Sequence, residues 1–136
     1  MKMQALAFGL AALLPALAMA DPPAFEAPAK PWPSSKPHCQ NTTVTLATTR
    51  LESGGQPQYD SGVALRFANG VSAVDYQPGN PVAMREREGD KVQTCLYSVP
   101  KNCPPGDDRG KVYRVYDYRL HAAYYLPATQ HSCGGA

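Results

Sequence analysis

The stretch with the densest reactive chemistry is Cys103-Pro104-Pro105-Gly106-Asp107-Asp108-Arg109-Gly110. Two adjacent prolines beside a cysteine make a stiff segment that loses little entropy on being fixed by a partner. Asp107, Asp108 and Arg109 would place charge of both signs at its tip. That is recognition chemistry, the kind protease-inhibitor loops use; the simpler reading is a hairpin connection whose Asp and Gly residues serve turn geometry. A second set is Tyr113, Arg114, Tyr116 and Tyr118, joined by Arg119, Tyr124 and Tyr125. Tyr and Arg give large contact areas with polar handles and dominate binding hot spots, although Tyr is also an ordinary strand former. A third pair is His38 and His131, each next to or near a cysteine. A bond between Cys39 and Cys133 would bring the two rings together as half of a tetrahedral metal site, with Asp107, Asp108 or His121 to complete it.

Catalytic patterns are missing. The chain has no Gly-x-Ser-x-Gly, His-Glu-x-x-His or phosphate-cradling glycine loop. A triad of His121, Asp117 and a serine can be drawn, but a chain of this length always permits such a drawing. Binding without catalysis, and without a cofactor, is therefore the expectation.

These residues must be positioned by strands. Val63 to Tyr76 reads as a hairpin around Asn69-Gly70, a type I′ turn pair. Pairing Ala68 with Val71 would set Phe67 against Ser72, Leu65 against Val74 and Val63 against Tyr76 on one apolar face. Gln40 to Leu51 reads as a Thr-rich strand with Val44 and Leu46 on one side. Lys91 to Val99 alternates Val92, Thr94 and Leu96 against Gln93, Cys95 and Tyr97, and Pro100 stops it. Lys111 to Leu126 supplies one long strand or two short ones. Tyr116 and Tyr118 share a face with Arg114, which implies a half-wet face, a bulge, or a turn near Leu120-His121. Pro78-Gly79-Asn80-Pro81 is a turn, and Met84 to Glu88 a charged connection or short helical turn. The predicted fold is all-β, a small antiparallel barrel or sandwich of about six to seven strands.

Four cysteines in a chain of this size predict two disulfides, for which three pairings exist. Proximity favours Cys95 with Cys103, leaving Cys39 with Cys133 to tie the domain's start to its end. Ahead of the domain, residues 21–37 hold six prolines, which remove backbone donors and favour an extended arm unlikely to enter a sheet. Trp32, between two of them, would dock on the domain or on a partner, or the arm is a simple tether. Residues 1–20 carry Lys2, an apolar stretch from Ala5 to Leu14 and a closing Ala18-Met19-Ala20, the layout of a secretory signal peptide. The organisation is thus a signal at 1–20, an arm at 21–37 and one β domain at 38–136, with the mature chain in the periplasm or secreted.

A formal charge of +2 for 136 residues argues against a nucleic-acid footprint, and no later run approaches the ~20 apolar residues of a membrane helix. The sequence leaves the oligomeric state open. In layout the chain resembles the periplasmic lysozyme inhibitors and the small exported immunity proteins of bacteria. The resemblance is architectural and carries no residue over; Leu51-Glu52-Ser53-Gly54-Gly55 is a generic run rather than an inhibitory loop. It implies a module that binds or inhibits another exported protein. The alternatives are a periplasmic metal- or small-ligand-binding protein using His38 and His131, and an envelope structural component.

Overall fold

A computed structural model describes residues 24–76 and 79–135; the signal-peptide assignment at 1–20 lies outside them. Among the described residues nine strands form: β1 (Phe25–Glu26), β2 (Cys39–Thr49), β3 (Glu52–Ser53), β4 (Gln56–Pro57), β5 (Val63–Phe67), β6 (Ser72–Val74), β7 (Lys91–Ser98), β8 (Val112–Asp117) and β9 (Ala122–Pro127). Two single 3-10 turns, Tyr59–Ser61 and Ala83–Arg85, sit between them. Seven strands make one antiparallel sheet in the order β1-β9-β8-β7-β2-β5-β6, and β3-β4 is a separate small hairpin. The fold is all-β, as expected. The sheet does not close: β6 approaches β9 without a ladder between them, so β5-β6 lies over β8-β9 in a sandwich-like curl.

The curl originates in β2. Its first half, Cys39 to Thr43, pairs with β7, while Val44 to Thr49 pairs with β5, and the register shifts between Val44 and Leu46. Thr45 is the extra residue of a β-bulge, which bends the strand and lets it serve both layers. The expectation that Val44 and Leu46 share a face fails for this reason. Val44 is buried opposite Phe67, and Leu46 opposite Arg66 turns to the outer side.

The β5-β6 hairpin forms where expected but one residue out of register. Leu65 faces Ala73 and Arg66 faces Ser72. Phe67 N–H donates to Val71 O at 2.9 Å, and Gly70 N–H to Phe67 O at 3.0 Å, so the loop is Ala68-Asn69-Gly70. Gly70 alone carries positive φ, 85°, which makes this a three-residue turn with a glycine bulge instead of a two-residue type I′ turn. The slip exchanges the faces of β6, so that fully buried Ala73 lies against Leu65.

The core lies inside the curl. Val44, Leu65, Phe67, Val92, Val115 and Tyr124 form its centre, each 3 % exposed or less. Gly62 closes its edge at φ +95°, where an added Cβ would stand 2.3 Å from the Asp75 carbonyl oxygen. Gly62→Ala is expected to cost about 2 kcal/mol or more, read as a lowered urea midpoint with unchanged slope.

The disulfides correct the expected pairing. Cys39 bonds Cys95, and Cys103 bonds Cys133. Cys39 and Cys95 are direct partners in the β2-β7 ladder, so strand register decides the bond and nearness along the chain does not. Cys103, beyond the end of β7, meets Cys133 beyond the end of β9. The sequence separations are 56 and 30 residues, and loop-closure entropy assigns each bond about 4 kcal/mol. Disulfides of this kind belong to an oxidising compartment. Among the described residues no helix is long and apolar enough to cross a membrane.

The arm also departs from expectation, because it joins the sheet. Phe25 and Glu26 lie between prolines but keep their own N–H groups, and they pair with Tyr124 and Ala123 of β9. Beyond them the chain crosses the outer face of β7 and β8. Trp32 N–H donates to Gln93 Oε1 and Gln93 Nε2 donates to Trp32 O, both at 2.8 Å, so one side chain completes a strand-like pair with the arm. Beneath lies Arg114, 2 % exposed, its guanidinium 4.7 Å from the Trp32 ring centroid. Arg114 Nη2 donates to Glu26 Oε2 at 2.7 Å and to Lys30 O at 3.1 Å, and the Tyr125 hydroxyl donates to Glu26 Oε1 at 2.7 Å. Burial alone would raise the Glu26 carboxyl. The hydrogen bonds from Arg114 and Tyr125, with the Arg114 charge, bring it net below its ordinary value.

Candidate functional site

The β7-β8 connection is built as a braced loop. Asp107 N–H donates to Pro104 O at 3.0 Å, closing a turn with Pro105 and Gly106 at its centre, and Gly106 takes the positive φ of 81° that a type II turn requires. Asp107 then turns inward. Its carboxylate accepts Arg109 Nε and Nη2 at 2.9 and 2.8 Å and the Gly134 N–H at 3.1 Å. The Arg109 guanidinium, helped by Gly134, holds this carboxyl well below the usual carboxylate range. With Cys103 bonded to Cys133, loop and C-terminal segment are clipped together twice, once by sulfur and once by Asp107.

Asp107, Asp108 and Arg109 therefore do not act as a uniform charged tip. Asp107 is a brace, 16 % exposed, and Arg109 is spent on it. Asp108 is the displayed group, 81 % exposed, with Lys111 Nζ 3.2 Å away. Asp108 and Lys111 line one side of an open groove of about 320 Å³ whose other walls are the Gly70-Val71-Ser72 turn, Tyr113 and Thr129. Asn69 stiffens the far wall: its Nδ2 donates to Thr94 Oγ1 at 2.9 Å and Gln40 Oε1 at 3.2 Å, and its Oδ1 accepts the Val71 N–H. A second hollow shares Asn69, Val71 and Tyr113 and continues toward His38 and Leu96. The result is a concave, mixed-charge surface with a rigid lip.

The Tyr/Arg set divides. Tyr113 faces the groove. Arg114 and Tyr116, 2 % and 3 % exposed, lie on the face that the arm covers, so the expected open recognition face is an internal one. Tyr116 packs edge-on against Tyr118 at 5.0 Å, and the Tyr118 hydroxyl donates to Asn41 Oδ1 at 2.8 Å. Neither an inserted bulge nor a wet face explains their shared side; the arm does, together with a turn at Tyr118 to His121.

The histidine pair loses its premise. His38 and His131 were to be joined by a Cys39–Cys133 bond, and those cysteines bond elsewhere. Among the described residues, the only grouping of three metal-ligating side chains is Glu86, Asp90 and Asp117, whose oxygens lie within 4.8 Å of one another. Neither histidine belongs to it. His121, drawn above with Asp117 as a triad, instead has its Nδ1 3.4 Å from the Tyr116 hydroxyl.

This acidic group was missed, and one of its three members was visible. Asp117 shares the strand parity of Val115, which turns it into the core, where it is fully buried. Glu86 stands in Arg85-Glu86-Arg87-Glu88, which reads as a solvated run, yet it is 7 % exposed. Burial, and then the neighbouring Asp117, raises the Glu86 carboxyl to about 9. Asp90 goes the other way: the Arg119 guanidinium, donating to its oxygens at 2.8 and 2.6 Å, holds it low. In comparisons with known proteins, no family model, no curated protein and no solved structure matches this chain.

Proposed function

We propose that this is an exported binding protein, free in the periplasm or secreted, which recognises or inhibits another exported protein through the loop Cys103 to Gly110 and the groove beside it. The observation that carries the reading is the double brace at Asp107 and Cys103–Cys133, which fixes the loop while leaving Asp108 at 81 % exposure. Fixing a loop before contact removes the ordering cost that otherwise weakens association. The two disulfides support an exported setting. The mixed charges of Asp108 and Lys111 favour a protein surface of complementary pattern over a polyanion. The arm, consumed by the sheet, speaks less for an envelope spacer.

The test uses the oxidised chain from residue 21 to capture partners from envelope and culture fractions, followed by direct affinity measurement on the purified partner. Asp108→Arg is expected to weaken that affinity at least tenfold while stability changes by no more than about 0.5 kcal/mol. A partner bound equally by the variant would reject the loop as the contact, and the absence of any saturable partner would reject the protein-binding reading.

A further inference from the structure

We propose that Glu86, Asp90, Asp117 and Tyr124 form a binding site for a hard divalent cation of the calcium class. Four elements converge there: the 3-10 turn before Glu86, the start of β7, the end of β8 and the middle of β9. The carboxylate oxygens of the three acids lie within 4.8 Å of one another. A calcium shell with ligands at 2.3–2.6 Å is about 5 Å across, so one ion can touch all three.

Asp90 is held by Arg119 and the Arg87 N–H, but the other donors are unspent. Both oxygens of Glu86 and Oδ2 of Asp117 are buried without any hydrogen-bond partner. Asp117 Oδ1 is occupied by the Leu120 N–H at 2.6 Å, which fixes the carboxylate and leaves its other oxygen facing the cluster. An independent observation comes from Tyr124. Its hydroxyl is fully buried, also unpartnered, and set against the Glu86 carboxylate, so a phenol oxygen that belongs to no acidic pair points into the same space. Native interiors rarely leave four such atoms unmatched around one point, and a missing ion is one of the standard reasons.

Charge and chemistry name the class. Three carboxylates with one guanidinium, Arg119 on Asp90, sum to −2 when ionised, which one divalent cation neutralises. Every donor is oxygen, which suits calcium, magnesium or manganese over zinc or copper. On its outer side Glu86 borders an open cavity of about 130 Å³ with Ala47, Thr49, Tyr59, Gly62 and Met84, while its carboxylate oxygens stay buried.

The test takes the full oxidised chain stripped with EDTA and titrates CaCl2 to 10 mM by calorimetry and thermal unfolding at pH 7.5, with MgCl2 in parallel. Calcium is expected to bind with a dissociation constant of about 0.1–1 mM and to raise Tm by about 5 °C at tenfold excess over it. Glu86→Gln, which removes a ligand without leaving a buried charge, should weaken binding at least tenfold, Tyr124→Phe should weaken it less, and Asp108→Arg should leave it unchanged. Amide shifts on saturation should centre on Asp117 to Leu120. No heat and no Tm change up to 10 mM, an equal response in Glu86→Gln, or a response to MgCl2 alone would each overturn the site; the cluster would then be a pair of acids sharing a proton.

Discussion

Deleting residues 24–37 is expected to destabilise the fold by about 4 kcal/mol or more, measured by urea unfolding of the oxidised protein. The reason is the layer the arm covers. Arg114 sits at 2 % exposure under Trp32, with Glu26 supplying the opposing charge and Lys30 O a further acceptor. Removing the arm uncovers Arg114 and Gln93 to water and forfeits together the Glu26–Arg114 pair, the Trp32–Gln93 backbone bonds and the apolar area that Trp32 buries against the guanidinium. It also strips β9 of its edge partner and exposes the Trp32 contact. Trp32→Ala should show a smaller loss, about 2 kcal/mol, since the indole is only partly buried and the Glu26–Arg114 contact survives. A tether that merely spans distance would change neither midpoint.

The second large effect has the opposite sign. In cation-free buffer, Glu86→Gln is expected to stabilise the protein by about 3 kcal/mol at pH 7. The folded carboxyl titrates near 9 against an ordinary value of 4.5, so between those pH values the native state retains a proton that the unfolded chain has released. Stability must then fall as pH rises, by up to about 1.4 kcal/mol per pH unit, and level off above the folded value. Below about pH 4.5 both states are protonated and the penalty vanishes. Glutamine has no proton to lose, so wild type and variant should coincide in acid and diverge toward alkali. Denaturation curves at pH 4, 7 and 9 would show this, and parallel curves at all three would refute the burial argument.

How much of this was legible depended on whether the governing interaction was local. Alternation in Val63 to Phe67 and in Lys91 to Ser98 marked strands because a half-buried strand repeats every two residues whatever it pairs with. The turn at Asn69-Gly70 was placed by its glycine, yet the register was not, because one positive φ and two positive φ values give loops that differ by one residue. The bulge at Thr45 left no trace among Thr43, Val44 and Thr45. Nothing near Cys39 indicates Cys95, since their meeting depends on the β2-β7 ladder. Proline content in the arm masked Phe25 and Glu26, whose free N–H groups were enough for a short ladder. In the candidate site, Asp108 was visible as a loop residue, but the inward turn of Asp107 depends on Gly134, far along the chain. Asp117 was the one member of the acidic cluster whose parity betrayed it; Glu86 was hidden in a charged run that tertiary packing folds inward.

The cysteine connectivity also bears on how the protein is made. In chain order the bonds join the first cysteine to the second and the third to the fourth. A polypeptide emerging N-terminus first presents Cys95 while Cys39 is the sole thiol waiting, and later presents Cys133 when only Cys103 remains. An oxidant acting on the nascent chain therefore reaches the native state by joining each thiol to the next one it meets. The Cys39–Cys133 arrangement would instead have required the first thiol to stay unreacted until synthesis was nearly complete, and a reshuffling catalyst whenever it did not.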